Sequence, residues 1–154
     1  MSAGNATMDD AGVTVFICVT CKTPDAEPRG RLLFDAVTAS LRAGETDAVT
    51  VTPVECLAVC KRPCTIALSG PAKWTCVVGD LDPDRDAEDV IAAALSFASS
   101  ETGIIPWRQR PLSFRKGVVA RIPPLWFVPA EPGKLFRSRY ESEPGPGHVL
   151  KPPA

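Results

Sequence analysis

Apolar residues follow two different periods along residues 1–100, and the changes of period mark the elements. Val13 to Ile17 is a short apolar, β-branched run. It predicts a buried strand that ends at Cys18. Pro24, Pro28 and Gly30 mark a loop. From Arg31 to Arg42, Leu33, Val37 and Leu41 recur at helical spacing, with Gly44 just beyond. That predicts a helix with a C-terminal stop. Ala48 to Val54 is rich in Val and Thr and predicts a second strand, leading into the Cys56–Cys64 segment. Thr65 to Ser69 and Trp74 to Val78 predict two short strands, with Ser69-Gly70-Pro71-Ala72 as the hairpin turn between them. Asp82-Pro83-Asp84 is expected to open a last helix, with Val90, Ile91, Ala94, Leu95 and Ala98 on one side. Acids massed at its start suit the helix dipole.

The predicted order is β-α-β-β-β-α. A strand, a crossover helix and a second strand make a right-handed parallel βαβ unit. A hairpin then extends the sheet, and the second helix packs on it. This is the thioredoxin-like α/β arrangement.

Charge divides the chain differently. Residues 1–100 carry 8 basic and 14 acidic side chains, and residues 101–154 carry 9 basic and 4 acidic. Ten of the sixteen prolines also lie after residue 100. An acidic half is therefore followed by a basic, proline-rich half. The second half still holds Ile104, Ile105, Trp107, Phe114, Val118, Ile122 and Trp126, too apolar a set for a purely disordered tail. It reads as an extended arm packed across the first domain or across a partner.

Composition adds the candidate chemistry. The chain has 154 residues, enough for one domain with a real core. It has six cysteines and one histidine, His148. One histidine disfavours His-rich metal sites and a Cys–His nucleophile pair. The N-terminus has neither the basic nor the apolar segment of a secretory signal, and no apolar run approaches a transmembrane span. The expected compartment is a reducing cytoplasm, where clustered cysteines bind metal or do redox work more often than they form structural disulfides.

The cysteines are Cys18, Cys21, Cys56, Cys60, Cys64 and Cys76. Cys18 ends the first predicted strand, and Cys56 follows the second. Parallel strands bring both ends to one edge of the sheet, where open α/β sheets place their sites. Cys18/Cys21 and Cys56/Cys60 are thus expected to converge. Four thiolates are the count used by a 2Fe–2S cluster or a structural zinc. A thioredoxin-type dithiol at Cys18 and Cys21 and simple burial of cysteines are the other readings. A reactive dithiol normally sits at a helix N-terminus, but Pro24 and Pro28 place Cys18 and Cys21 on a loop. Cys56-Leu57-Ala58-Val59-Cys60 has no glycine and an apolar middle, which suits a redox cluster better than a tight zinc turn.

Three stretches carry a family resemblance: Val15-Phe16-Ile17-Cys18, then Thr52 to Cys60, and then Pro63-Cys64 to Gly79. They resemble the thioredoxin-like 2Fe–2S ferredoxins over residues 13–98. The resemblance implies an electron carrier rather than an enzyme, with Cys18, Cys56 and Cys60 as cluster ligands. In that family a further cysteine follows a longer loop, and the matching position near Gly30 and Arg31 has none. Cys21 is then the expected fourth ligand, with Cys64 as the alternative. Cys64 otherwise reads as a core position at the start of the third strand, and Cys76 as a buried strand residue.

The whole chain also resembles a group of small bacterial proteins described only as predicted metal-binding and often encoded near cobalamin or metal-handling genes. The shared features are Cys18-x2-Cys21, Cys56-Leu57-x2-Cys60, and an arm with Pro106-Trp107-Arg108-Gln109-Arg110-Pro111 and Arg121-Ile122-Pro123-Pro124. The organisation expected is a flexible stretch over 1–12, a thioredoxin-like metal or iron–sulfur domain over 13–100, and a basic extension over 101–154 that frays after about residue 131. The expected function is a 2Fe–2S electron carrier. The alternatives are a zinc- or other-metal-binding accessory protein and a thiol–disulfide oxidoreductase using Cys18 and Cys21.

Partners follow from the arm. Trp107-Arg108-Gln109-Arg110 and Phe114-Arg115-Lys116 interleave aromatics with charge, a pattern that can bind nucleic acid. A net charge of −1 and the lack of a recognition module argue against it. Docking against Asp80, Asp82, Asp84, Asp86, Glu88 and Asp89 is the preferred role, with an acidic redox partner as another. The resembling ferredoxins are commonly dimers, so a homodimer is also in view; no membrane contact is expected.

Overall fold

The structure is a computed structural model, which describes residues 12–21, 28–44 and 46–129. The expectations of a flexible stretch before Gly12 and of fraying after about residue 131 fall on residues outside these ranges.

Strand β1 is Val13–Cys18, and its burial alternates as a strand covered mainly on one face does, with Val13, Val15 and Ile17 inside. Helix α1 spans Arg29–Ala43. It starts directly after Pro28, whose fixed φ suits a helix entry, and buries Leu33 and Val37. The amide of Gly44 returns to the Ser40 and Leu41 carbonyls and closes the last turn. Strand β2 is Val49–Val54, β3 is Ile66–Ser69 and β4 is Thr75–Val78. Helix α2 is Ala87–Ser99 and buries Val90, Ala93, Ala94 and Phe97.

β1 pairs with β2 in parallel, from Val13 opposite Val49 to Cys18 opposite Val54. It pairs antiparallel with β3 on its other side. β3 and β4 form the expected hairpin. Helices α1 and α2 touch each other and both rest on β1 and β2. Leu33 and Val37 from α1, Val90 and Phe97 from α2, and Val15, Ile17, Ile66 and Leu68 from the sheet form one core. The thioredoxin-like α/β expectation for this part of the chain holds.

Two things differ from the pattern reading. Residues 82–86 form a turn, not the first turn of α2. The Asp82 carboxylate accepts from the Asp84 amide at 2.9 Å, and the Asp86 carboxylate accepts from the Asp82 amide at 2.7 Å. These side-chain bonds satisfy backbone donors that a helix start would otherwise leave open. Second, the arm contributes regular structure. A short helix, α3, spans Leu112–Gly117 and runs into β5, Val118–Ile122. β5 pairs antiparallel with β4 and completes the order β2-β1-β3-β4-β5. Ile105 and Phe114 are buried in the shared core. Acidic–basic pairing does not hold the arm in place among the described residues. Asp80 and Asp82 pair with Arg62, Arg29 and Arg85, and Asp84 pairs with Arg29. Arg110 and Arg115 instead donate to arm carbonyls of Ile105, Arg108 and Arg110. The direct polar tie from α3 to α2 is Ser113 donating to Asp89 at 2.7 Å.

Candidate metal centre

The parallel pairing of β1 and β2 puts Cys18 and the residues after Val54 at the same edge of the sheet. β3 runs the other way and enters from that edge. The Cys18 amide donates to the Thr65 carbonyl at 3.0 Å, and the Val19 amide to Val54 at 2.9 Å. Cys18, Cys21 and Cys64 are buried at this edge, while Cys56 and Cys60 are exposed on the loop between β2 and β3.

The Cys18–Cys21 turn is held against the start of α1. The Gly30 amide donates to the Cys21 carbonyl at 3.0 Å. A Cβ on Gly30 would lie 1.9 Å from the Cys18 carbonyl oxygen and 3.3 Å from the Cys21 Cβ. Only glycine fits there. Gly30 thus lets the start of α1 close against the Cys18–Cys21 turn.

The Cys56–Cys60 loop turns sharply without glycine. Ala58 takes a left-handed backbone with φ of 59°. For a residue with a Cβ that conformation costs about 1–2 kcal/mol, and it persists where surrounding structure enforces it. The Ala58 amide lies 3.1 Å from the Cys56 Sγ. Cys18 Sγ also lies 3.6 Å from the Glu55 carbonyl, which the Thr20 hydroxyl contacts as well. One loop therefore meets both sulfurs, with the Ala58 amide on Cys56 and the Glu55 carbonyl on Cys18.

The thiols are polarised in opposite directions. Burial opposes ionisation of Cys18, but hydrogen bonds from the Cys21 thiol, the Leu57 amide and Thr20 together hold it below its ordinary value. Burial and the thiol it donates to Cys18 push Cys21 up, against the Thr65 and Cys64 amides. Burial and the neighbouring Cys21 push Cys64 up to about 11, partly countered by the Arg29 guanidinium. Cys64 is buried in the core, as expected, but it precedes β3 by two residues with φ of 59°, in a turn rather than in that strand. Cys76 is half-buried in β4, packed against the core.

Loop 55–65 is braced by Arg62. Its Nε donates to Asp80 at 2.7 Å, and a terminal nitrogen donates to the Lys116 carbonyl at 3.1 Å. Arg29 links the start of α1 to Asp82 at 3.3 Å. Neither arginine stands out in the sequence, because each acts through a contact distant along the chain. Among the described residues, no three His, Cys, Asp or Glu side chains form a group able to hold a metal ion. No helix among them is long and apolar enough to cross a membrane.

Comparison with known proteins places this arrangement. The profile of a family described as "Protein of unknown function (DUF1636)" matches residues 15–124. The chain belongs to that family. The match takes in all six cysteines, α3 and β5, so the arm is part of what defines the family. No curated protein matches the sequence. Among solved structures, the chain is similar to a thioredoxin-like [2Fe-2S] ferredoxin from Aquifex aeolicus, at 17% identity and a TM-score of 0.50, covering 75% of this chain and 98% of that one. A crystal form of the wild-type Aquifex aeolicus ferredoxin gives 17% identity, 71% and 97% coverage and a TM-score of 0.47. At this identity the likeness shows a shared fold.

Proposed function

We propose that the protein binds a 2Fe–2S cluster through Cys18, Cys21, Cys56 and Cys60 and carries single electrons. The observation that supports this reading is the edge of the sheet where Cys18 and Cys21 lie buried and the exposed Cys56–Cys60 turn follows β2, with the strained Ala58 setting its amide 3.1 Å from the Cys56 sulfur. Hydrogen bonds to cysteine sulfur stabilise the thiolate form and are one of the levers that set a cluster's potential.

Four thiols in two sequence pairs are the donor chemistry such a group takes, although no three of them are gathered as a ready metal site among the described residues. A two-iron cluster takes four thiolates as two pairs, one pair per iron. Cys18 and Cys21 are one pair, both buried. Cys56 and Cys60 are the other, exposed on one turn at the same edge. A single zinc ion needs four donors around one point. When bound, a 2Fe–2S cluster supplies a one-electron couple. The chain's part is to shield Cys18 and Cys21 from water and to leave Cys56 and Cys60 at the surface, where a redox partner has access. This role is electron transfer, without a substrate turned over by the chain.

Anaerobic reconstitution with iron and sulfide tests it. The expected product is red-brown, with visible absorption that bleaches on dithionite. Colourless protein carrying stoichiometric zinc overturns the proposal. Cys56→Ser and Cys21→Ser are expected to lose the colour, and Cys76→Ser to keep it. Colour retained in Cys21→Ser and lost in Cys64→Ser reassigns the fourth ligand to Cys64.

A further inference from the structure

Beyond β5 the arm forms a turn that displays apolar side chains to water. The Phe127 amide donates to the Pro124 carbonyl at 3.1 Å and closes a β-turn over residues 124–127. Trp126, its third residue, has φ of 66°, where such turns ordinarily take glycine or asparagine. A bulky side chain is held there against its backbone preference, and strain of that kind clusters at functional sites. Leu125 is 87% exposed, Trp126 95% and Val128 82%. Phe127 instead folds back edge-on against Trp74, with ring centroids 5.1 Å apart, and pins the turn beside the start of β4.

Topology sets where the turn lies. Val118 pairs with Val78 and Ile122 with Thr75, so β5 starts at the cysteine edge and ends at the opposite one. The turn follows Ile122 and therefore lies away from the cysteines. The arm also enters at this end, where the Trp74 amide donates to the Thr102 carbonyl at 2.7 Å. Charge divides in the same direction. Residues 101–129 carry five basic side chains and one acid, Glu101. Among the described residues none of those five is in an ion pair. Arg108 and Arg121 are exposed, and Arg121 stands at the foot of the turn. The acids from Asp80 to Asp89 follow β4 at the cysteine edge. Asp47 shares the turn's end but precedes β2, at the far side of the sheet.

We infer that the 124–128 turn inserts into the headgroup layer of a bilayer that carries anionic lipid, with Arg121 and Arg108 against the lipid charge. Trp is a residue favoured at the membrane–water interface. Exposed apolar side chains beside basic ones bind such a surface by joining burial to charge attraction. A protein partner fits less well, because a stable interface takes about 20–30 residues a side and this set is one turn. Nucleic acid fits less well too, since the nearest other exposed aromatic of the arm, Trp107, already stacks with Arg115 at 4.8 Å. The expectation of no membrane contact rests on the lack of a spanning run, and a surface turn needs none. The inference does not rest on the cluster reading, because the turn and the cysteines lie at opposite ends.

The test is sedimentation of the full chain with vesicles of phosphatidylcholine plus phosphatidylglycerol, and with phosphatidylcholine alone. The expected result is binding to the anionic vesicles that weakens as salt is raised, with tryptophan emission shifted to the blue. Leu125→Ala/Trp126→Ala is expected to lose at least about tenfold in affinity, as removal of two inserted apolar side chains requires. Arg121→Gln is expected to lose about fivefold. Urea unfolding checks that both variants are folded. Absence of vesicle binding overturns the inference, as does binding that the double variant keeps in full. A single-stranded oligonucleotide is run in parallel. Binding to it that the double variant loses, without vesicle binding, reassigns the turn to nucleic acid. Iron reconstitution is measured separately, so failure of one reading does not count against the other.

Discussion

At position 30 the chain leaves no room for a side chain. The Cys18 carbonyl oxygen stands 1.9 Å from where a Cβ would sit, and that neighbour is backbone, which cannot swing aside. Gly30→Ala is therefore expected to destabilise the protein by at least about 2 kcal/mol, at the severe end for a change of one methyl group. Urea unfolding checks this, and an unchanged midpoint rejects it. The same substitution is expected to shift the Cys18–Cys21 turn and so to weaken iron reconstitution more than it weakens folding. Gly30, two residues after Pro28, reads in the sequence as part of an ordinary loop, because its meaning depends on a carbonyl twelve residues earlier. The cysteines are the opposite case. Cys18 and Cys56 are legible from their places beside strand ends, since parallel pairing alone brings those ends together.

At the level of elements, the start of α2 depends on Asp82. Its carboxylate accepts from the Asp84 amide and pairs with Arg85 and Arg29. The Asp84 amide first, against some desolvation, and then the two arginines hold this carboxyl below its ordinary value of 3.8. A carboxyl depressed in the folded state stabilises above its unfolded value, and the benefit is lost as pH falls through the folded one. Wild-type protein should thus lose stability on acidification below about pH 4, where carboxylates take up protons. Asp82→Asn should be less stable at neutral pH and flatter across the acid range. Parallel pH profiles for the two proteins reject the assignment. The sequence pattern placed the helix start at Asp82 because acids and a proline mark helix entries and tight turns alike. Which of the two forms is decided by Asp86 reaching back to the Asp82 amide.

For the whole molecule, residues 101–129 of the arm are structural. β5 extends the sheet, and Phe114, 1% exposed, joins the core built by the first domain. Phe114→Ala is expected to cost about 3–5 kcal/mol, in the range for emptying a buried aromatic position. Thermal or urea unfolding reads this directly, and a neutral result means that the arm does not belong to the cooperative unit. Arg62 ties loop 55–65 to β4 and α3. Arg62→Ala is expected to speed hydrogen exchange across Cys56–Cys60 while leaving α1 unchanged, and uniform exchange in both rejects the brace. β5 escaped the pattern because four of its five residues are exposed, so it has no alternation to read. Its place comes from the β4 edge it pairs with.

The sequence by itself determined the βαβ unit, the hairpin and the gathering of cysteines at one edge, since each follows from local period and from the handedness of crossovers. Tertiary structure decided the rest. Contacts between distant segments put Cys21 against Gly30, buried Cys18, Cys21 and Cys64 at one edge and turned part of a proline-rich arm into a strand. Local pattern records the preferences of neighbours along the chain. It does not record which backbone donor a distant sulfur or strand edge will meet.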